Sequence, residues 1–388
     1  MDFGLTNEQR MILGTVRGFV TKELLPLEAE AQRAELDGRS FPGPGDIRRL
    51  QQRAKTAGLW GLLTPEEYGG ANLGMLMTSL ISMETSNALI PFSYGGHADN
   101  ILYACNAEQK QRYLCPTIEG DRISCFALTE PDTGSDATNI QMPAVRDGSD
   151  WVLNGRKVFI TNGLEADFAI VFAVTDKSKG HQSGVTAFLV DRAMGWSSQP
   201  IQTMGAWRPA EISFDGVRVP NENILGEIGK GFQLAMAWIG QGRIIIPARA
   251  IGQAQRLLEM ALDYSRQRIA FGRPIAEYQA IQWMLADSAV EIEQVKWLVL
   301  NAAWKADQGG DARHEASIAK LAGAGMIWRV VDRVMQIHGG MGYTKEMPIE
   351  RVMRDVRVYR IYEGTDEIQR RSIARNLLKG HATLRAWS

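Results

Sequence analysis

Apolar residues recur at helical spacing near the start of the chain. In "LTNEQRMILGTVRGFVTKELL", Met11-Ile12, Val16 and Phe19-Val20 fall on one face, and Thr6 stands where an N-cap belongs. The pattern predicts helices broken by loops over the first 120 or so residues. The loops are "DGRSFPGPGD" and "TPEEYGGANLG", by their prolines and glycines. After Arg122 the period changes. Short β-rich runs, "SCFALTE", "DWVLNGRKVFIT", "DFAIVFAV", "GVTAFLV" and "EISFDGVRVP", follow one another between turn signals up to about Asn223. Asn154-Gly155 between apolar flanks predicts a hairpin, and runs without intervening helices predict a small sheet or barrel. From Gly226 onward the pattern is helical again and the helices are long. Between Gln279 and Asp307, Ile281, Leu285, Ser288-Ala289, Ile292, Val295, Val299 and Ala302 recur at nearly 3.5 residues. Trp283, Val290, Trp297 and Trp304 make a second row at sevenfold spacing. Two apolar faces predict burial on more than one side, in a bundle or at a subunit interface, and a tryptophan row reads as core material. The fold class is therefore α+β and multidomain: an all-α domain over 1–121, a small β-barrel or sheet domain over 122–225, and a helical bundle over 226–388.

Composition narrows the function. The net charge of −1 with 22% charged residues gives no electrostatic footprint for nucleic acid or an anionic membrane. Arg48-Arg49 and Arg370-Arg371 read as solvated helix faces. Cys105, Cys115 and Cys125 are odd in number and form no CxxC pair, which points to a reduced compartment without a disulfide framework or metal site. "MDFGLTNEQR" has acids where a signal peptide needs a basic flank, and no apolar run approaches the ~20 residues of a membrane span. A cytoplasmic protein without membrane insertion is the expectation. HExxH, GxSxG, the Walker motif and GxGxxG are all missing from the sequence, and no βαβ alternation exists to hold a nicotinamide.

Five stretches carry candidate chemistry. "FALTEPDTGSD" leaves a strand for a turn-rich loop whose small hydroxyls and backbone N–H groups can hold a heterocycle or a phosphate. "RKVFITNG" ends another strand with Phe159, Ile160 and Thr161. "RIAFGRPIAEYQAIQ" places Arg268 and Phe271 before a helix carrying Gln279. "QIHGGMGY" puts Gln336, Gly339 and Gly340 at a helix C-terminus, where glycines let a ligand approach. In "RIYEGTDEIQR", Glu363 stands between Tyr362 and Gly364, ahead of a helix start made of Thr365 with Asp366 and Glu367. By itself Glu363 is either a solvated turn carboxylate or a base.

With these stretches in this order, nearly the whole chain resembles the acyl-CoA dehydrogenase flavoprotein family. "LTEPDTGSD" is similar to that family's LTEPxxGSD loop, "FGRPIAEYQAIQ" to its FGxxxxxxQ segment and "YRIYEGTDEIQ" to its IYEGTxxIQ signature. The resemblance implies an α-helical domain, a β-barrel and a four-helix bundle. It also implies FAD between the β domain and the bundle, with its adenosine pyrophosphate half reaching a neighbouring subunit. On the flavin side it places Phe126, Leu128, Thr129, Gly134, Ser135, Phe159, Ile160 and Thr161. It places Arg268, Phe271, Gln279, Gln336, Gly339 and Gly340 on the pyrophosphate and adenosine from the partner subunit. Thr365 and Glu367 would hold the pyrophosphate at a helix start. Ser135, Arg243, Tyr362, Gly364 and Arg375 fall on the acyl-CoA side. Glu363 matches the base that removes the α-proton of the thioester while the β-hydrogen leaves as hydride to flavin N5. Such a base needs burial to lift its pKa, and the Gly364 N–H with a ribityl hydroxyl would stabilise the enolate-like transition state. Some members keep the base on the helix corresponding to "AWIGQGRIIIP", where this chain has Gly242. The chain departs from the pattern at Gly240 and in the shorter "TMGAWRPAEISF" with Trp207-Arg208-Pro209.

The activity so implied is α,β-dehydrogenation of an acyl-CoA to the trans-2-enoyl-CoA by a homodimer or dimer of dimers that passes electrons to an electron-transfer flavoprotein. An acyl-CoA oxidase using O₂, a flavin monooxygenase on the same fold, which needs no carboxylate base, and a flavin-free scaffold are the alternatives. The acyl group is set by pocket shape, with walls expected partly from "NALIPFSYGGHADN". There His97 and Asp99 either meet a polar acyl group or belong to a surface loop.

Overall fold

The computed structural model describes residues 4–39 and 41–382. Residues 1–3 of the stretch read against a leader, Ser40 of the first loop and 383–388 of the last domain lie outside the described residues. The chain forms two compact units. One comprises Met1–Leu63, Leu73–Tyr94 and Gly242–Ser388, the other Thr64–Asn72 and Gly95–Gln241.

All five β-rich runs are strands of the second unit, joined there by three short ones. The strands are β1 (Ser124–Ala127), β2 (Ala144–Asp147), β3 (Asp150–Ile160), β4 (Phe168–Val174), β5 (Val185–Asp191), β6 (Ser197–Pro200), β7 (Ala210–Val219) and β8 (Ile224–Leu225). They make two four-stranded sheets ordered β1-β4-β5-β8 and β2-β3-β7-β6. β1 runs parallel to β4, with Ser124 opposite Phe168. The near-continuous apolar run of β4 and β5 follows from burial on both faces. Ala169, Val171, Phe188 and Val190 enter a core with Trp151, Leu153, Ile212 and Phe214 of the other sheet. Phe168, Ile170, Phe172 and Leu189 pack instead with Leu102, Tyr113, Leu114 and Phe232 of helical segments.

The hairpin does not lie at Asn154-Gly155. It lies upstream at Gly148-Ser149, where Asp147 pairs with Asp150 and Gly148 has φ +65°. β3 runs straight through Asn154-Gly155 and absorbs them as a bulge, its register against β7 shifting between Leu153 and Gly155. A two-residue reversal wants positive φ at both central residues or at the first, as at Gly148, whereas in Asn154-Gly155 only the second has it. The Asn154 carboxamide oxygen is used across the ladder, accepting from the Gly216 N–H at 2.7 Å.

In the first unit, α1 (Asn7–Phe19) starts as predicted: Thr6 Oγ1 accepts from the Gln9 N–H, and Gln9 Oε1 accepts from the Thr6 N–H. Helices α2 (Glu28–Leu36), α3 (Pro44–Thr56) and α4 (Gly74–Thr85) complete the N-terminal part around Leu13, Val16, Phe19, Leu50, Met77 and Ile81. The C-terminal part holds α5 (Gly231–Gln267, from Gly242 onward), α6 (Gln279–Asp307), α7 (Arg313–His338), α8 (Ile349–Val356) and α9 (Asp366–Leu378). Ile251, Leu257, Ile292, Val299, Val330 and Val352 share one core. The first predicted stripe of α6 is buried where it carries Ser288, Ile292, Val295, Val299 and Ala302. The second is not core material. Trp283, Val290, Trp297 and Trp304 are 63%, 55%, 44% and 53% exposed in the single chain. Sevenfold spacing fixes a stripe on the helix but not what covers it, and the bundle closes over the other stripe.

One crossing matters for the site. A Cβ on Gly323 of α7 would lie 2.4 Å from Cβ of Pro247 in α5, so the two helices meet where only glycine fits. Among the described residues no helix is long and apolar enough to cross a membrane.

Candidate active site

The turn ahead of α9 is held unusually firmly. Thr365 caps the helix, its Oγ1 accepting from the Ile368 N–H at 3.3 Å, with Asp366 and Glu367 in the first turn. Before it, Glu363 has φ +54° and Gly364 φ +90°. A non-glycine residue in the left-handed region costs about 1–2 kcal/mol and persists only where its surroundings over-determine it. Here they do. Arg243 Nε donates to the Glu363 carbonyl at 3.1 Å, Gln369 Nε2 donates to the Glu363 and Gly364 carbonyls at 3.0 Å each, and Lys320 Nζ donates to the Gly364 carbonyl at 2.7 Å. Arg243 lies four residues before Pro247 and Lys320 three before Gly323, so the tight α5–α7 crossing delivers both cations to the turn.

The Glu363 side chain meets Gly242, where a Cβ would lie 3.1 Å from its Cδ and 3.3 Å from Oε2. Oε2 is buried and has no hydrogen-bond partner among the described residues. Burial pushes the Glu363 carboxyl up to about 7, against the opposing charges of Arg243 and Lys320. Tyr362 stacks on Tyr359 at 5.7 Å, and burial raises its hydroxyl well above the usual phenol range, so it stays neutral. A carboxyl that titrates near neutrality beside apolar rings is poised for proton abstraction. It is not a solvated turn carboxylate.

The flavin-side candidates of the second unit divide by exposure. Gly134, Ser135, Phe159 and Thr161 are open to solvent, and Thr129 is half-buried. Leu128 and Ile160 put their side chains in cores, leaving backbone groups to offer. Phe126 stacks on Trp238 at 4.2 Å with the rings 10° apart. Asp99 accepts from Trp238 Nε1 and Ser124 Oγ at 2.8 Å each, so it is not a free surface carboxylate.

A buried ion pair that the sequence reading missed lies beneath this loop. Lys157 Nζ donates to Glu130 Oε1 and to the Leu128 carbonyl, both at 2.9 Å. Glu130 also accepts from the Gln141 and Met142 N–H groups at 2.7 and 2.9 Å. Burial pulls the fully enclosed Lys157 down to about 8 despite Glu130. The available signal was polar: Glu130 and Lys157 are among the charges inside two of the five candidate stretches.

In the first unit, Arg268 and Phe271 border a two-strand ladder (Ile269–Ala270 with Arg273–Pro274), and Gln279 opens α6. Gln336, Gly339 and Gly340 are exposed at the end of α7, Glu367 in the first turn of α9 and Arg375 further along it. These residues fit a flavin dinucleotide. Phe159 and Phe271 are 63% and 97% exposed, both on left-handed backbone at φ +59° and +50°. Aromatic faces presented to solvent in this way suit stacking on flat heterocycles. Gly134, Gly339 and Gly340 have open space where a Cβ would stand. Among the described residues no group of three His, Cys, Asp or Glu side chains is placed to hold a metal ion.

Three family models match the chain: the acyl-CoA dehydrogenase N-terminal domain over residues 6–121, the middle domain over 125–217 and the C-terminal domain over 229–378. (R)-benzylsuccinyl-CoA dehydrogenase of Thauera aromatica is 38% identical over 397 residues, covering 97% of each chain. Butyryl-CoA dehydrogenase from Megasphaera elsdenii is 35% identical with a TM-score of 0.86, over 97% of this chain and 100% of that one. A chain from work on the electron transferring flavoprotein of Acidaminococcus fermentans and flavin-based electron bifurcation is 38% identical with a TM-score of 0.87, over 98% and 100%. The chain belongs to the acyl-CoA dehydrogenase family, a family of FAD-binding oxidoreductases, and has its fold: helical N-terminal, β middle and helical C-terminal domains.

Proposed function

We propose that this acyl-CoA dehydrogenase uses the Glu363 carboxylate to remove the α-proton of an acyl-CoA thioester, giving the trans-2-enoyl-CoA. The observation that carries this reading is the buried, unpartnered Oε2 of a carboxyl whose pKa is pushed up to about 7. Bound FAD supplies the acceptor for the β-hydrogen as hydride. Glu363 takes the proton, and Tyr362 with Tyr359 keeps water from the carboxyl. The Gly364 N–H donates to the thioester oxygen as negative charge develops there, a contribution typically worth several kcal/mol in a dry site. Ser135, Arg243 and Arg375 serve the acyl-CoA. Thr129, Ser135, Phe159, Thr161, Thr365 and Glu367 hold FAD from one subunit, and Arg268, Phe271, Gln279, Gln336, Gly339 and Gly340 hold it from a second.

The exposed tryptophan stripe of α6 supports a homo-oligomer, and the similar chain from the Acidaminococcus electron-transferring-flavoprotein work supports such a flavoprotein as electron acceptor. Relatives of similar identity are named for benzylsuccinyl-CoA and butyryl-CoA, so a screen across straight, branched, aromatic and alicyclic acyl-CoAs assigns the acyl group. The test of the base is Glu363→Gln. It should retain FAD and acyl-CoA binding while anaerobic flavin bleaching slows by at least about 10²–10⁴-fold. Bleaching within a few-fold of wild type would remove Glu363 from the mechanism.

A further inference from the structure

We propose that Lys320, with Gln369, is a positioning residue for the catalytic turn: the pair holds the Glu363–Gly364 backbone and so aims the Glu363 carboxyl. This rests on the reading of Glu363 as the base. Lys320 is fully buried on α7, and its Nζ has one hydrogen-bond acceptor among the described residues, the Gly364 carbonyl at 2.7 Å. An ammonium group is costly to bury, so this placement calls for a compensating contact, and the turn provides it.

Arg243 and Gln369 hold the Glu363 carbonyl from two sides. Lys320 and Gln369 then hold the next carbonyl, that of Gly364, which fixes the left-handed pair φ +54° and +90°.

Charge acts in the same place. Lys320 faces Asp366, Glu363 and Glu367 as well as Arg243. Glu363 is faced by Arg243 and Lys320 and lies beside Tyr362, and Arg375 faces Arg243. The ammonium therefore offsets part of the rise that burial imposes on the base.

The experiment uses FAD-loaded protein and the acyl-CoA that bleaches wild-type flavin fastest. Lys320→Met keeps chain length and loses both hydrogen bond and charge. Its kcat should fall ~10- to 100-fold with KM within a few-fold, as expected for a charge-assisted hydrogen bond. The acid limb of its pH–rate profile should move up by about one pH unit, because a nearby cation is lost. The Glu363 carboxyl, followed by infrared difference against Glu363→Gln, should titrate higher by the same interval, a readout independent of turnover. Gln369→Met removes two hydrogen bonds and no charge. It should lower kcat similarly and leave the acid limb in place, and it carries the test if Lys320→Met does not fold. An inert Glu363→Gln alongside wild-type-like kcat and titration in Lys320→Met, or wild-type kcat in Gln369→Met, overturns this proposal alone. An active Glu363→Gln overturns the base and the proposal together.

Discussion

Arg243 serves Glu363 through the backbone. Its Nε lies 3.1 Å from the Glu363 carbonyl oxygen, while the carboxylate Oε2 is left without a partner among the described residues. A direct ion pair would hold the carboxyl below its ordinary range. A cation on the main chain instead anchors the turn and leaves burial free to dominate. The first prediction follows from this balance. With a pKa near 7, activity in the free enzyme should rise through that region as Glu363 ionises, not near the ~4.3 of a solvated glutamate. The same shift affects stability. A carboxyl whose folded pKa lies above its unfolded value contributes stability that is fully present below about 4.5 and is lost as pH rises through about 7. Glu363→Gln should therefore be more stable than wild type at pH 8 by roughly 2–3 kcal/mol, with a higher melting temperature, and melt at nearly the same temperature at pH 4.5. Equal melting temperatures at pH 8 would mean the carboxylate is better solvated than its burial indicates.

Gly242 leaves room for the Glu363 carboxyl. A methyl there would stand 3.1 Å from Cδ and 3.3 Å from Oε2 of Glu363, tighter than an ordinary carbon contact. Gly242→Ala favours the helix but displaces the carboxyl, and small misplacements of a reacting group cost up to ~100-fold. We expect kcat/KM to fall about 10-fold or more with unchanged circular dichroism and FAD content. Wild-type kinetics in this variant would show that the carboxyl moves aside freely.

The Glu130–Lys157 pair should be tested by breaking one side. Glu130→Gln leaves a fully buried ammonium without its counter-charge, which typically costs about 3–5 kcal/mol. Lys157 already has a folded pKa lowered to about 8, so the native state is penalised below that pH and relieved between about 8 and the unfolded value of 10.5. Urea denaturation should show the largest loss near pH 7 and a smaller one above pH 9. A pH-independent loss would assign the effect to the Gln141 and Met142 hydrogen bonds instead.

Trp283 and Trp304 offer a test of assembly. Large exposed apolar stripes mark contact surfaces, and these side chains are 63% and 53% exposed in the single chain. Replacing both with Asp should lower the sedimenting mass and weaken FAD retention together, since a second subunit is proposed to hold part of the cofactor. An unchanged assembly would place the interface on another face.

Much of this protein was determined locally. The β4 and β5 runs are apolar throughout because both faces are buried, so they read as strands without reference to any partner. Thr6 and Thr365 act within three residues of themselves, and a cap is legible wherever a hydroxyl precedes a helix. The stretches around Glu363 and Gly134-Ser135 could be picked out because turn chemistry and spacing are sequence properties. Tertiary structure decided the rest. Asn154-Gly155 satisfies the local rule for a hairpin, but the ladder against β7 held the chain straight and made a bulge. The tryptophan row of α6 satisfies the rule for a buried face, but the bundle closed over the other stripe. Lys320, Lys157 and Glu130 look like any surface charges along the chain. Their burial comes from the Gly323–Pro247 crossing in one unit and the packing beneath the Glu130 loop in the other. Periodicity states which residues share a face, and only the folded chain states what lies against it.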